Sequence, residues 1–202
     1  MKNDVHFWIA ILVRGALALV VGSAVMVIPD MASTLLLMPF AVAVSILCLA
    51  AYGVLDSTII FVSSFMVSTR SPQIALRLQG AFGVLVGLLL FFVVYSRFPL
   101  HWFLYLIAFQ ALCTATAEFI VARHAFTRAV SRWNYAAASV ALLFLITYSA
   151  AGAVFGEGLS SREVAWLIYG YLVAFGMAQC LTAARMLYAD YRVVELSHPR
   201  GL

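Results

Sequence analysis

Few side chains in this sequence can do chemistry in apolar surroundings. Arg14, Asp56 and Glu118 each interrupt an otherwise apolar stretch, Arg77 and Gln79 lie together in another, and Gln179 lies in the last. A lone charge in the middle of a bilayer costs at least about 2.5–3.5 kcal/mol on insertion scales, so each charge needs a partner. Arg14 lies about two turns from the start of its stretch, and Asp56 a comparable distance from the end of the next. Antiparallel helices bring the two to one depth, and an Arg14–Asp56 ion pair is expected. A second polar cluster is expected at Arg77, Gln79 and Glu118, with Arg77 or Arg123 neutralising Glu118. Gln179 occupies the matching region of the last pair of helices, where no acid remains.

Two chemistries fit these groups. As structural locks, they fix which helices pair, because an unmatched buried charge is so unfavourable. As a protonatable site, Glu118 or Asp56 exchanges protons with the cytoplasm, and its charge state switches helix packing. A simple lock requires that Arg14→Leu combined with Asp56→Leu regain the expression and function lost in each single variant.

The elements that position these groups follow from composition. The chain has 202 residues, 65% hydrophobic and only 10% charged, too few charges to cover a water-facing surface. The solvent is lipid, and a disulfide scaffold, a disordered chain and an independent nucleic-acid-binding domain are excluded. Runs of about 20 apolar residues, the length that crosses the hydrocarbon core, predict helices over 7–28, 39–62, 74–95, 102–121, 135–155 and 164–184. The first is too long for the apolar region of a signal peptide and reads as a span. Pro29-Asp30 is expected to end the first helix, and Pro39 to start the second. Short loops make consecutive helices antiparallel neighbours. The fold class is therefore an all-α membrane protein, a single transmembrane domain of six helices arranged as three repeated antiparallel hairpins. The hairpins cover about 7–67, 74–124 and 134–188, and 189–202 form a cytoplasmic tail. Residues 185–195 read as a short interfacial helix, and 197–201 as disordered.

Lys2, Arg70, Arg77, Arg123, Arg128, Arg132, Arg185, Arg192 and Arg200 fall on one side of such a bundle, and only Arg97 and Arg162 on the other. The positive-inside rule then makes both termini cytoplasmic and turns Asp30, Glu157 and Glu163 outward. Trp8, Trp102, Trp133 and Trp166 stand at or next to helix starts, at headgroup depth. Arg123, Arg128 and Arg132, with His124, form a basic loop suited to anionic lipid head groups or a protein partner.

The chain also repeats itself. Gly15, Ala18 and Gly22 recur 65 positions later as Gly80, Gly83 and Gly87, so that Arg14 corresponds to Gln79. Small residues at this spacing share one helix face and let backbones approach. They serve as internal packing seams or as a seam between copies of the chain.

No cofactor is expected. The single lysine, Lys2, is far from the last helices; His6, His101 and His124 lie at span ends and His198 in the tail; Cys48, Cys113 and Cys180 sit apart in apolar runs and read as small buried hydrophobes. No HExxH, GxSxG or Walker sequence occurs, and the loops are too short to build a catalytic domain. An enzyme is not expected.

These features resemble the HdeD-type family of small bacterial inner-membrane proteins associated with acid resistance. The resemblance rests on Arg14-Gly15-Ala16 with Gly22 and Pro29, on the stretch from Ala51 to Asp56, and on Gln79-Gly80, Gly87 and Glu118. The link from Pro29 to Asp56 is longer than the family leads one to expect, and the third hairpin matches poorly. The resemblance implies six spans and an association with acid stress, and it supplies no catalytic residue. Three functions stay open: a non-enzymatic membrane protein related to that family, a small transporter or channel with Arg14, Asp56 and Glu118 along a polar path, and an accessory subunit of a larger membrane complex.

Overall fold

Where no water reaches the backbone, every N–H and C=O must be satisfied within the chain, and long apolar runs become helices. The computed structural model describes residues 7–33, 38–96, 100–125, 127–154 and 160–197. They form α1 (Phe7–Ser33), α2 (Met38–Ser63), α3 (Arg70–Ser96), α4 (Leu100–Arg123), α5 (Arg128–Val154) and α6 (Ser161–Ser197), with a 3₁₀ turn at Ser64–Met66 after α2. All six are long and apolar enough to cross a membrane. Large apolar side chains such as Val20, Leu55, Phe92, Leu143 and Ile146 point outward, as lipid-facing surfaces do.

Several boundaries differ from expectation. Helix α1 continues through Pro29-Asp30 to Ser33: proline's φ is helical, and although its ring removes one backbone bond and crowds the carbonyl four residues earlier, membrane helices tolerate this where the freed backbone group finds another partner. Pro39 does sit in the first turn of α2. Helix α5 begins at Arg128, seven residues before the apolar run, because the Thr127 hydroxyl accepts from the Val130 amide and caps it. The basic loop is consequently shorter than expected: Arg123 closes α4, Arg128 opens α5, and Arg132 lies in the second turn of α5. Helix α6 starts with Ser160 and Glu163 capping each other's backbone amides, and it runs unbroken to Ser197. The separate tail helix expected over 185–195 is thus the end of α6, and residues 198–202 lie outside the described residues.

The helices form a closed ring in which each touches its two sequence neighbours and α6 returns to α1. The most extensive contacts are α6 with α1, α2 with α3, and α4 with α5. They lie between consecutive hairpins rather than within them. The small-residue faces occupy these seams. A Cβ on Gly15 would lie 2.9 Å from the Gly176 carbonyl oxygen and 3.0 Å from the Cys180 amide nitrogen on α6. One on Gly80 would lie 2.8 Å from the Ser57 carbonyl oxygen on α2. Gly22 meets Leu172, Gly87 meets Val54, and Ala18 is fully buried. Both glycine faces are thus filled inside the chain, so these residues are not available as a seam between copies.

Because the obstacle at Gly80 is backbone that cannot turn aside, Gly80→Ala is expected to lower thermal stability in mild detergent by about 1–3 kcal/mol, the usual cost of overpacking. At Gly53 a Cβ would meet only the Gly87 Cα, at 3.6 Å. Gly53→Ala should leave stability unchanged or raise it by up to about 1 kcal/mol through helix propensity. Equal melting shifts in the two variants would mean that the α2–α3 seam is not closely packed.

Candidate functional site

Arg14 lies on α1 about 10 Å inside the bundle from Phe7, at 1.5 Å per residue, and is 4% exposed. Its guanidinium is shared. Nε donates to Asp56 Oδ1 on α2 at 2.8 Å, and Nη1 donates to Glu118 Oε1 on α4 at 2.6 Å. The same Glu118 oxygen accepts from Gln179 Nε2 on α6 at 2.7 Å. The guanidinium also stacks over the Phe175 ring, 4.8 Å from its centroid. Since α1 and α4 stand opposite each other in the ring, the bond to Glu118 crosses the bundle axis. A planar fork with several fixed donors can serve acids on two helices at once, which a lysine ammonium does less well.

The Arg14–Asp56 pair stands where depth along the first two helices put it. Glu118 does not have the expected partner. Neither Arg77 nor Arg123 reaches it, and Arg14 takes both acids. Arg77 instead lies over the Phe65 ring at 4.2 Å. Gln79 is buried and donates to Thr114 Oγ1 on α4 at 3.2 Å. The expected second cluster of Arg77, Gln79 and Glu118 therefore separates, and Glu118 joins the first. Arg123, Arg128 and Arg132 lie exposed at one end of the bundle, away from the ionic centre.

Several contributors escaped the sequence reading. Gln110, Thr114 and Glu118 recur at four-residue spacing on one face of α4, and Tyr52 precedes Asp56 by four on α2. That periodicity was the available signal. Tyr52, Gln110 and Thr114, with Tyr148, Tyr171 and Phe175, border a cavity of about 60 Å³ that also touches Arg14, Asp56 and Gly83. Ser57 Oγ stands where a Cβ of Gly83 would be. Ser57 Oγ, Gln79 Oε1 and Gln110 Oε1 are buried without a hydrogen-bond partner. Among the described residues no set of His, Cys, Asp and Glu could hold a metal ion. Comparison with protein-family models, curated proteins and solved structures finds no match.

One cation faces two acids here, and that count changes what the variants should do. Arg14→Leu strands two carboxylates and is expected to cost about 3–5 kcal/mol in thermal or denaturant unfolding. Asp56→Asn leaves a balanced Arg14–Glu118 pair and should cost no more than about 1–3 kcal/mol, the worth of a bond to a charged group. The Arg14→Leu, Asp56→Leu double variant still buries Glu118 alone, so it should not recover, whereas adding Glu118→Gln to it should restore much of the loss. Recovery in the double variant would show that Glu118 is not bound to Arg14.

Proposed function

We propose that this chain is a non-enzymatic, multi-pass membrane protein whose buried Arg14–Asp56–Glu118 centre takes up protons and thereby alters helix packing in acid. The observation that carries this reading is the charge count: one guanidinium between two carboxylates, all three 4% exposed. With both acids ionised, the centre holds one excess negative charge out of water, an arrangement that a single added proton neutralises. A second proton leaves Arg14 without a counter-charge and removes the reason for α2 and α4 to stay on α1. Successive protonation thus first tightens and then loosens the same contact.

This behaviour agrees with the resemblance to HdeD-type acid-resistance proteins, which rests on Arg14, Asp56 and Glu118 among its matching positions. A three-hairpin repeat is supported by the seams, because α1, α3 and α5 each pack most extensively on the even-numbered helix preceding them around the ring. The bundle end that gathers Arg70, Arg123, Arg128 and Arg132 is assigned to the cytoplasm by the positive-inside rule, in a bacterial inner membrane with both termini inside. There these arginines would meet anionic lipid head groups. A small transporter or channel is the second reading, favoured by two voids that touch the ionic centre and a third, at the end of the bundle, that adjoins one of them. Ion flux through the purified protein in liposomes decides between the two.

The test of the acid response uses Thr69→Cys, an exposed reporter between α2 and α3, in a protein lacking Cys48, Cys113 and Cys180. Labelling of this thiol by a membrane-impermeant reagent whose own reactivity has been corrected for pH should change on acidification of proteoliposomes. Asp56→Asn combined with Glu118→Gln, which leaves the centre no carboxylate to protonate, should abolish the change. A response that persists in this double variant would remove the proton-sensing role.

A further inference from the structure

The voids around the ionic centre are chemically unequal. At the arginine-rich end, a void of about 170 Å³ lies between Phe7, the α2–α3 link, the end of α4 and the start of α5, with Ser68, Thr69, His124 and Asn134 as its polar lining. A second void of about 20 Å³ lies between it and the centre, bordered by Arg14, Ser63, Glu118 and Asn134 among apolar side chains. The two share Phe7, Leu76, Val121 and Asn134, and Asn134 is the one polar residue common to both linings. The smaller void exceeds the roughly 10–15 Å³ that one water requires, and its four polar neighbours meet the two to four partners a buried water needs. On the far side of Arg14, the 60 Å³ cavity is lined mainly by apolar side chains, Leu49, Val86, Leu90, Ile107, Ile168 and Leu172 among them, with Tyr52, Gln110, Thr114, Tyr148 and Tyr171 as its other polar members, and it shares no lining residue with the void at the arginine-rich end.

From this asymmetry we infer that the centre exchanges its proton with the solution at the arginine-rich end, through water held in the two voids, with Asn134 as the polar step between them and Glu118 as the group that receives the proton. The inference rests on the proton-binding reading and adds the route and its sidedness. A hydronium entering the larger void passes its proton along water to Glu118, leaving water behind and converting a carboxylate to a carboxylic acid. Glu118 is bonded to Arg14 on α1, which also holds Asp56 on α2, and to the neutral Gln179 on α6; Tyr52 on α2, Tyr171 on α6 and Tyr148 on α5 border the cavity beyond Arg14, and α3 contributes the neutral Gln79, bonded to Thr114 one turn before Glu118. Asn134 lies in the second turn of α5 and is 2% exposed, so an apolar replacement of similar size closes the step without touching the ion pairs.

The measurement is time-resolved infrared spectroscopy of the full chain in vesicles sorted by the end that a C-terminal tag faces, following the carboxylic-acid C=O band after an acid jump outside. In wild type the band should rise quickly when the arginine-rich end faces the jump and at least about 10-fold more slowly in the opposite orientation. Asn134→Leu should slow the fast rise about 10-fold or more and leave its final height unchanged, and Asn134→Ser should keep the wild-type rate. Should Asn134→Leu fail to fold, Ser63→Ala and Val121→Phe, which remove a polar neighbour of the smaller void and narrow it, provide the same comparison. A band absent from wild type, or undiminished in Asp56→Asn with Glu118→Gln, overturns the proton-binding reading itself. A band present at equal rates in both orientations, or unslowed by all three blocking variants, overturns the route alone.

Discussion

One guanidinium held between two carboxylates, away from water, sets the terms for the rest of the molecule. Charges of this kind are tolerated in lipid only while matched and hydrogen-bonded, and the match here draws on four helices: Arg14 from α1, Asp56 from α2, Glu118 from α4 and Gln179 from α6. Three of these can be neighbours around a ring, but α1 and α4 meet only across its axis. The ionic centre therefore specifies a closed bundle more strongly than any one apolar contact does, since apolar side chains pack about as well on lipid as on each other.

Packing provides close approach, and polarity decides register. The glycine seams let α1 sit on α6 and α3 on α2 with backbones nearly touching, which keeps the ring narrow enough for a guanidinium to span it. Buried apolar residues form one cluster through most of the bundle and a smaller one of Phe7, Ile11, Ile60, Leu76 and Ala183 toward the arginine-rich end. The ionic layer lies near the junction of the two. Two smaller voids touch that same layer, one on either side of Arg14, so the part of the bundle most constrained by charge is not fully packed. A strongly coupled site with free space beside it can respond to protonation by changing helix contacts rather than by small local shifts.

Hydropathy alone was enough to find six helices, because lipid leaves an apolar run no alternative that satisfies its backbone. Helix ends were less legible. Pro29 did not stop α1, Thr127 started α5 ahead of its apolar run, and α6 continued well past Ala184, since capping and solvent-side continuation carry no hydropathy signal. Depth along two adjacent antiparallel helices sufficed to put Arg14 near Asp56. The partner of Glu118 could not be reached that way. It depends on the closure of α6 onto α1, which sets α1 opposite α4, and sequence adjacency says nothing about contacts across a ring. Arg77 was nearer Glu118 by that reasoning and lies over Phe65 instead.

The central claim is that Arg14 holds both acids at once, and distances in a bilayer test it most directly. Solid-state NMR of the protein in lipid, with nitrogen-15 in the arginine side chains and carbon-13 in the carboxyl groups, reports dipolar coupling between these groups. The structure places Nε 2.8 Å from Asp56 Oδ1 and Nη1 2.6 Å from Glu118 Oε1, so simultaneous couplings from Arg14 to both carboxyl carbons are predicted, each lost when its own acid is replaced. Coupling to Asp56 alone, with Glu118 remote from Arg14, would contradict the account.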